Sequence, residues 1–152
     1  MIEIILFQPQ IPQNTGNIGR LCAFTGARLH LIHPLGFTIS DKNLRRAGMD
    51  YWKELEVIDY SDWTDFIQSS TKPKRIYLFS THAEKNLWNA KFHKGDGLLF
   101  GNEGSGAPTF VHDWVGDNRL KIPKFVPELR SLNLAVSVGI ATYEAIRQIS
   151  AT

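Results

Sequence analysis

Three stretches of this 152-residue chain carry residue types at spacings that could do chemistry. The first is Leu98-Leu99-Phe100-Gly101-Asn102-Glu103-Gly104-Ser105-Gly106-Ala107-Pro108, where an apolar run enters a loop holding three glycines within six residues. Glycine lets a backbone approach a ligand, or take left-handed dihedrals, with no Cβ penalty, so main-chain amides there could meet a small molecule. Gly101 and Gly106 stand as in a phosphate loop, but Ala107 and Pro108 fill the places where that loop needs Lys and Ser/Thr. The spacing also misses the dinucleotide fingerprint, and Glu103 would set a carboxylate against a pyrophosphate. What remains is a different small ligand or a tight strand-to-helix turn with none.

The second stretch is Asn14-Thr15-Gly16-Asn17-Ile18-Gly19-Arg20, which reads as helix-capping residues followed by the first turns of a helix. Ile18, Leu21, Cys22 and Thr25 recur at helical spacing, and Arg20 lies off that apolar stripe, free to reach what the preceding loop faces. The third is Arg45-Arg46, shortly before Tyr51 and Trp52. Paired guanidinium groups beside aromatic rings suit phosphate binding and stacking on bases, although Tyr51 and Trp52 could equally be core.

Several chemistries find no support. Cys22 is the single cysteine, so an intramolecular disulfide is excluded, and it lacks a neighbouring helper for nucleophilic work. No zinc spacing is present, and His30 and His33 read as ordinary polar positions, so no metal is expected. The formal charge of +2 says little, but cations gather locally as Lys72, Lys74 and Arg75 and as Lys121, Lys124 and Arg130. Any one such group can be only a solvated face; together they suit a polyanion.

The elements that must position these residues follow from periodicity. Residues 2–7, 29–32, 76–79 and 98–100, which are largely apolar, and the mixed stretches 55–60 and 119–122 read as strands. Helical patterns lie between them, at about 41–47 after Ser40, after Ser61, and at about 108–114. A long terminal helix is expected from Leu132, apolar on two faces and therefore needing two partners, its own sheet and another subunit. Alternating strands and helices predict an α/β domain spanning 1–152, with a mostly parallel sheet covered on both faces. Ligands in such sheets gather at the carboxyl ends of the strands, where the loops after Phe7, Phe79, Phe100 and Ile122 converge. The apolar runs fall short of the roughly 18 residues of a membrane span, and the N-terminus opens on a strand pattern, so a cytoplasmic protein is expected.

Residues 12–20, residues 98–106, and Ile122-Pro123 with Arg130-Ser131-Leu132-Asn133-Leu134 resemble, in order and spacing, three motifs of the SPOUT superfamily of RNA methyltransferases. Residues 41–52, with Leu44-Arg45-Arg46-Ala47-Gly48-Met49-Asp50-Tyr51-Trp52, are similar to a segment of the small enzymes that 2′-O-methylate the tRNA wobble nucleotide, cytidine or modified uridine. The resemblance covers nearly the whole chain. It implies an S-adenosyl-L-methionine cofactor, a C-terminal trefoil knot that general topology rules would not suggest, and a homodimer with a shared active site.

By position, the resemblance assigns Phe79, Gly101, Ile122, Ser131 and Leu132 to the cofactor pocket. Arg20 matches the residue regarded as catalytic, and Glu103 and Asn133 match polar positions near the methyl group and substrate. Asn14, Asn17, Arg45, Arg46 and Arg130 are candidates for contact with the anticodon stem-loop. Ala135-Val136 depart from the family pattern, so side-chain hydrogen bonds there are not carried over. Other readings of the same residues are a 2′-O-methyltransferase for another tRNA or rRNA site, a non-catalytic RNA-binding protein on this fold, and a nucleotide-binding protein using the glycine loop.

Overall fold

The computed structural model describes residues 1–39, 42, 46 and 49–150. Within them the strands β1 (Glu3–Phe7), β2 (Arg28–Ile32), β3 (Val57–Tyr60), β4 (Ile76–Phe79), β5 (Gly97–Phe100) and β6 (Arg119–Leu120) form one sheet in the order β3-β2-β1-β5-β4-β6. Every pairing in it is parallel. The helices are α1 (Pro12–Thr25), α2 (Trp63–Gln68), α3 (Thr109–Val115) and α4 (Leu134–Ser150), with 3-10 turns at Met49–Glu54 and Leu87–Asn89.

Successive strand residues face opposite ways, and here both sides are covered. Ile4, Leu6, Leu31, Leu98 and Phe100 pack with Ile18 and Cys22 of α1 and with Val138 and Ala141 of α4. Ile5, Phe7, Ile32, Leu78 and Leu99 pack on the other side with Phe66 of α2 and Val111 of α3. Two buried faces explain why β1, β4 and β5 read as apolar runs rather than as alternations. Among the described residues, no helix is long and apolar enough to cross a membrane.

Several element ends differ from the sequence expectation. Helix α1 begins at Pro12, with Ile11 at its cap and no side-chain cap, so Asn14 and Asn17 lie inside it. Proline suits that first position because it has no N–H to leave unpaired. Arg20 is accordingly in the third turn rather than the first turns. The cap of α2 is Asp62, whose side chain accepts from Asp65 N, while Ser61 N donates to the Asp65 carboxylate. Strand β3 starts at Val57 rather than at residue 55. Strand β6 stops at Leu120 because Lys121 N turns to Lys85 O. Helix α4 starts at Leu134, leaving Ser131, Leu132 and Asn133 in the loop before it. Ser40, Asp41 and Arg45 fall outside the described residues; Lys42 and Arg46 are helical and exposed.

Helix α4 does have two apolar faces. Val138, Ala141, Thr142 and Ala145 are buried against the sheet side, while Val136, Ile140 and Tyr143 remain exposed.

Candidate active site at the carboxyl ends of the strands

The glycine loop after β5 is shaped by its own side chains. Asn102 Oδ1 accepts from Gly104 N at 3.1 Å, Ser105 N at 2.8 Å and Ser105 Oγ at 3.1 Å. Gly106 N donates back to Asn102 O, and Gly106 takes φ +69°. This closure brings the loop's return strand so near that a Cβ on Gly101 would lie 2.2 Å from Ala107 N. Gly101 is therefore required by the loop's own geometry. Asn102 is the organising residue that the sequence reading passed over; the signal was an Asn two positions before a Gly, the composition of an Asx-turn.

The loop then reaches across the sheet. Both Glu103 carboxylate oxygens are engaged: Gln10 N and Ile11 N each donate to it at 2.9 Å, and Asn14 Nδ2 donates at 3.2 Å. Glu103 thus does for α1 what a capping side chain would do, from more than ninety residues away, and a negative charge there also suits the helix N-terminus. The chain can present those two amides because Gln8 turns it sharply at φ +48°, an uncommon conformation for a residue other than glycine. Asn14 Oδ1 in turn accepts from Asn133 Nδ2 at 3.0 Å. The sequence-selected Glu103, Asn14 and Asn133 are thereby joined in one hydrogen-bonded chain that ties together the loops after β1, β5 and β6.

The expected cofactor positions flank this chain. Phe79 and Phe100, neighbours at the ends of β4 and β5, stack with ring centroids 4.9 Å apart and planes 10° from parallel. Ile122 is half-buried against the core, and Ser131 and Leu132 are exposed on the loop that leads to Asn133. Apolar surface, glycine backbone and one hydroxyl are a set of partners that fits an adenosine better than a phosphate. Among the described residues, no cluster of three or more His, Cys, Asp or Glu is arranged to hold a metal ion.

Arg20 stands apart from the Glu103 chain. It is exposed on α1, with its guanidinium carbon 4.9 Å from the centre of the Tyr51 ring and Nη2 donating to Tyr51 Oη at 3.5 Å. Trp52, beside it, goes to the core and lies so close to α1 that a Cβ on Gly19 would sit 2.9 Å from the indole. The aromatic pair is therefore divided, Tyr51 orienting an arginine and Trp52 filling the interior. Asn17 is exposed one turn before Arg20, on the same side of the helix.

The basic groups divide as well. Arg130 is exposed and forms no salt bridge among the described residues. Arg75 is committed to Asp96, with Nη2 2.7 Å from the carboxylate, and Lys72 lies over the Trp114 ring at 5.6 Å, so that group is structural in large part. His30 is also structural: fully buried, it links Tyr60 Oη at 2.8 Å to Glu3 at 2.6 Å. Cys22 is in the core, and burial pushes its thiol up to about 12.

This geometry has clear relatives. A curated tRNA (cytidine(34)-2′-O)-methyltransferase of Saccharophagus degradans is 45% identical over 150 residues, covering 98% of this chain and 96% of its own. A solved structure concerned with 2′-OH methylation of C/U34 on tRNA superposes with a TM-score of 0.93 at 44% identity, over all of this chain and 98% of that one. An AdoMet-bound rRNA methyltransferase from Sinorhizobium meliloti shares the fold at 23% identity, with a TM-score of 0.85, over 96% of this chain and 56% of its own. The model of the SpoU rRNA methylase family matches residues 1–143, and the loops that Glu103, Asn14 and Asn133 hold together all lie within that span: the chain belongs to this family.

Proposed function

We propose that this chain 2′-O-methylates the ribose of the wobble nucleotide, cytidine or modified uridine, in the tRNA anticodon loop. It would do so with S-adenosyl-L-methionine, as a cytoplasmic homodimer, with the segment after β5 drawn into a trefoil knot. The observation that carries the reading is the chain Glu103–Asn14–Asn133, which fixes three loops around one place at the carboxyl ends of the strands. The near full-length relatives named for cytidine 34 support the substrate. The exposed face formed by Val136, Ile140 and Tyr143 supports the dimer, because an apolar helix face left in water is an association surface.

The cofactor, when bound, supplies an electrophilic methyl group on a sulfonium. Gly101, Phe79, Ile122, Ser131 and Leu132 would hold its nucleoside, the first by close backbone approach and the apolar side chains by contact with the purine. Arg20 is not the base, since a guanidinium carries only hydrogen-bond donors and offers no lone pair to take the proton. It orients the ribose and the adjacent phosphate and stabilises negative charge as the 2′-oxygen loses its proton. Tyr51 holds the guanidinium from beneath. Glu103, held by three donors, acts by fixing the loop rather than by carrying the proton. Arg45, Arg46, Arg130 and Asn17 would contact phosphate and sugar of the stem-loop, which sets register and makes affinity salt-dependent.

The test is methylation of tRNA by the purified protein with labelled cofactor, followed by mapping of the modified nucleotide. Methyl incorporated at the 2′-oxygen of residue 34 supports the reading; incorporation elsewhere, or none despite cofactor binding, overturns it. Arg20→Ala should lower turnover by about 100-fold or more, with cofactor affinity retained.

A further inference from the structure

Two aromatic rings stand in water next to the candidate site with no role in it. Trp88 is 59% exposed and Phe125 is 79% exposed, yet they lie against each other with centroids 6.2 Å apart and planes tilted by 31°. Both stand on segments tied to the fold. Trp88 follows the fully buried Leu87 in a 3-10 turn, and Leu87 N donates to Lys121 O while Lys121 N donates to Lys85 O, each at 2.9 Å. Phe125 is on the loop that starts with Ile122 and ends with Asn133, a loop braced where Lys124 Nζ donates to Leu129 O. The rings therefore keep their relationship without being buried by it.

Their surroundings are cationic. Lys85, Lys121, Lys124 and Arg130 lie on the same two segments, against the carboxylates of Glu84 and Glu128. A two-fold contact centred on this patch would set those cations against one another, which argues against a second copy as its occupant. A polyanion with flat apolar faces, which is what an unpaired nucleotide offers, suits it on both counts.

Resting on the tRNA reading above, we infer that Trp88 and Phe125 form a stacking platform for an unpaired base of the RNA next to the one being methylated. Lys124 and Arg130 hold its phosphates. The base is gripped by its face, so the platform holds the loop open with little regard for sequence, and the target ribose is left free to enter the site.

The experiment uses the full chain and an anticodon stem-loop hairpin, with hairpin affinity, S-adenosylhomocysteine affinity by calorimetry and mass by sedimentation measured together. Trp88→Ala and Phe125→Ala should each weaken hairpin binding by on the order of 10-fold, with cofactor affinity and mass unchanged. Trp88→Phe and Phe125→Tyr, which keep a ring, should restore most of it. Arg130→Gln should instead flatten the salt dependence, while the alanine variants leave that slope alone. Unchanged hairpin affinity in the alanine variants overturns the inference, and so does a fall in mass, which would make the rings part of a subunit contact. Wild-type protein that fails to bind the hairpin overturns the tRNA reading itself, and the platform with it.

Discussion

Asn14 donates through Nδ2 to the Glu103 carboxylate at 3.2 Å and accepts through Oδ1 from Asn133 Nδ2 at 3.0 Å. The orientation of its amide is forced, because an ionised carboxylate can only accept. Replacing Glu103 by Gln would set an NH2 group against one of the donors it now receives. Glu103→Gln should cost about 0.5–2 kcal/mol, the range for losing a helix cap. Because the three residues act as one chain, Asn14→Ala combined with Asn133→Ala should cost less than the sum of the single changes. Urea denaturation midpoints of the singles and the double check both statements; strict additivity would mean that Asn14 does not couple the two loops.

Gly101 and Gly106 make contrasting demands. An added Cβ at Gly101 would meet the backbone at Ala107 N and Gly106 C, whereas at Gly106 it would meet nothing within 4 Å and only the φ of +69° opposes it. Gly101→Ala should therefore cost about 1–3 kcal/mol and distort the loop, while Gly106→Ala should cost about 1–2 kcal/mol. Cofactor calorimetry should show the first losing most of its affinity and the second much less.

Glu3 gives acid sensitivity of predictable sign. Its burial alone would raise the carboxyl, but the hydrogen bonds from His30 and Arg28, and their charges, outweigh burial and hold it below the ordinary value of 4.5. A depressed folded value means that the stability it contributes is fully present above about pH 4.5 and is lost as pH falls through the lower folded value. The Tm gap between wild type and Glu3→Gln should thus be widest near neutrality and close as pH drops below 4. A gap independent of pH would show that Glu3 is not ionised in the folded protein.

Cys22 should be chemically silent. With its thiol pushed up to about 12 by burial, almost no thiolate exists at pH 8, and the side chain is out of reach. A thiol reagent should label denatured protein at once and native protein only as fast as it opens; rapid native labelling would contradict the packing of α1 on the sheet.

The central strands β1, β4 and β5 were readable because burial on both faces leaves them as nearly uninterrupted apolar runs, and the site loops were readable because glycine and proline punctuate them. The cap of α1 was not. Local sequence offered Asn14 and Asn17 as caps, while the group that serves α1, Glu103, lies next to it only once β5 has paired with β1. Nor could spacing divide Tyr51 from Trp52, since one residue's difference in direction decides which meets solvent and which meets Gly19. His30 looked like an ordinary polar residue because its partners, Glu3 and Tyr60, come from the strands on either side of β2.

The place of β5 in the sheet has a consequence for how the molecule comes into being. β1, β2 and β3 can associate as soon as they are made, but the other edge of β1 waits for β5, whose Gly97 pairs with Glu3. Until then a strand that is apolar from Ile4 to Phe7 keeps one row of amides and carbonyls open to any passing chain. Closing so distant a pair costs loop entropy before any contact repays it. The Asn102 turn is local, but the Glu103 clamp on Gln10 and Ile11 can form only after that seam has closed. A molecule that holds the Glu103 clamp has therefore already joined the two halves of its sheet at β1 and β5.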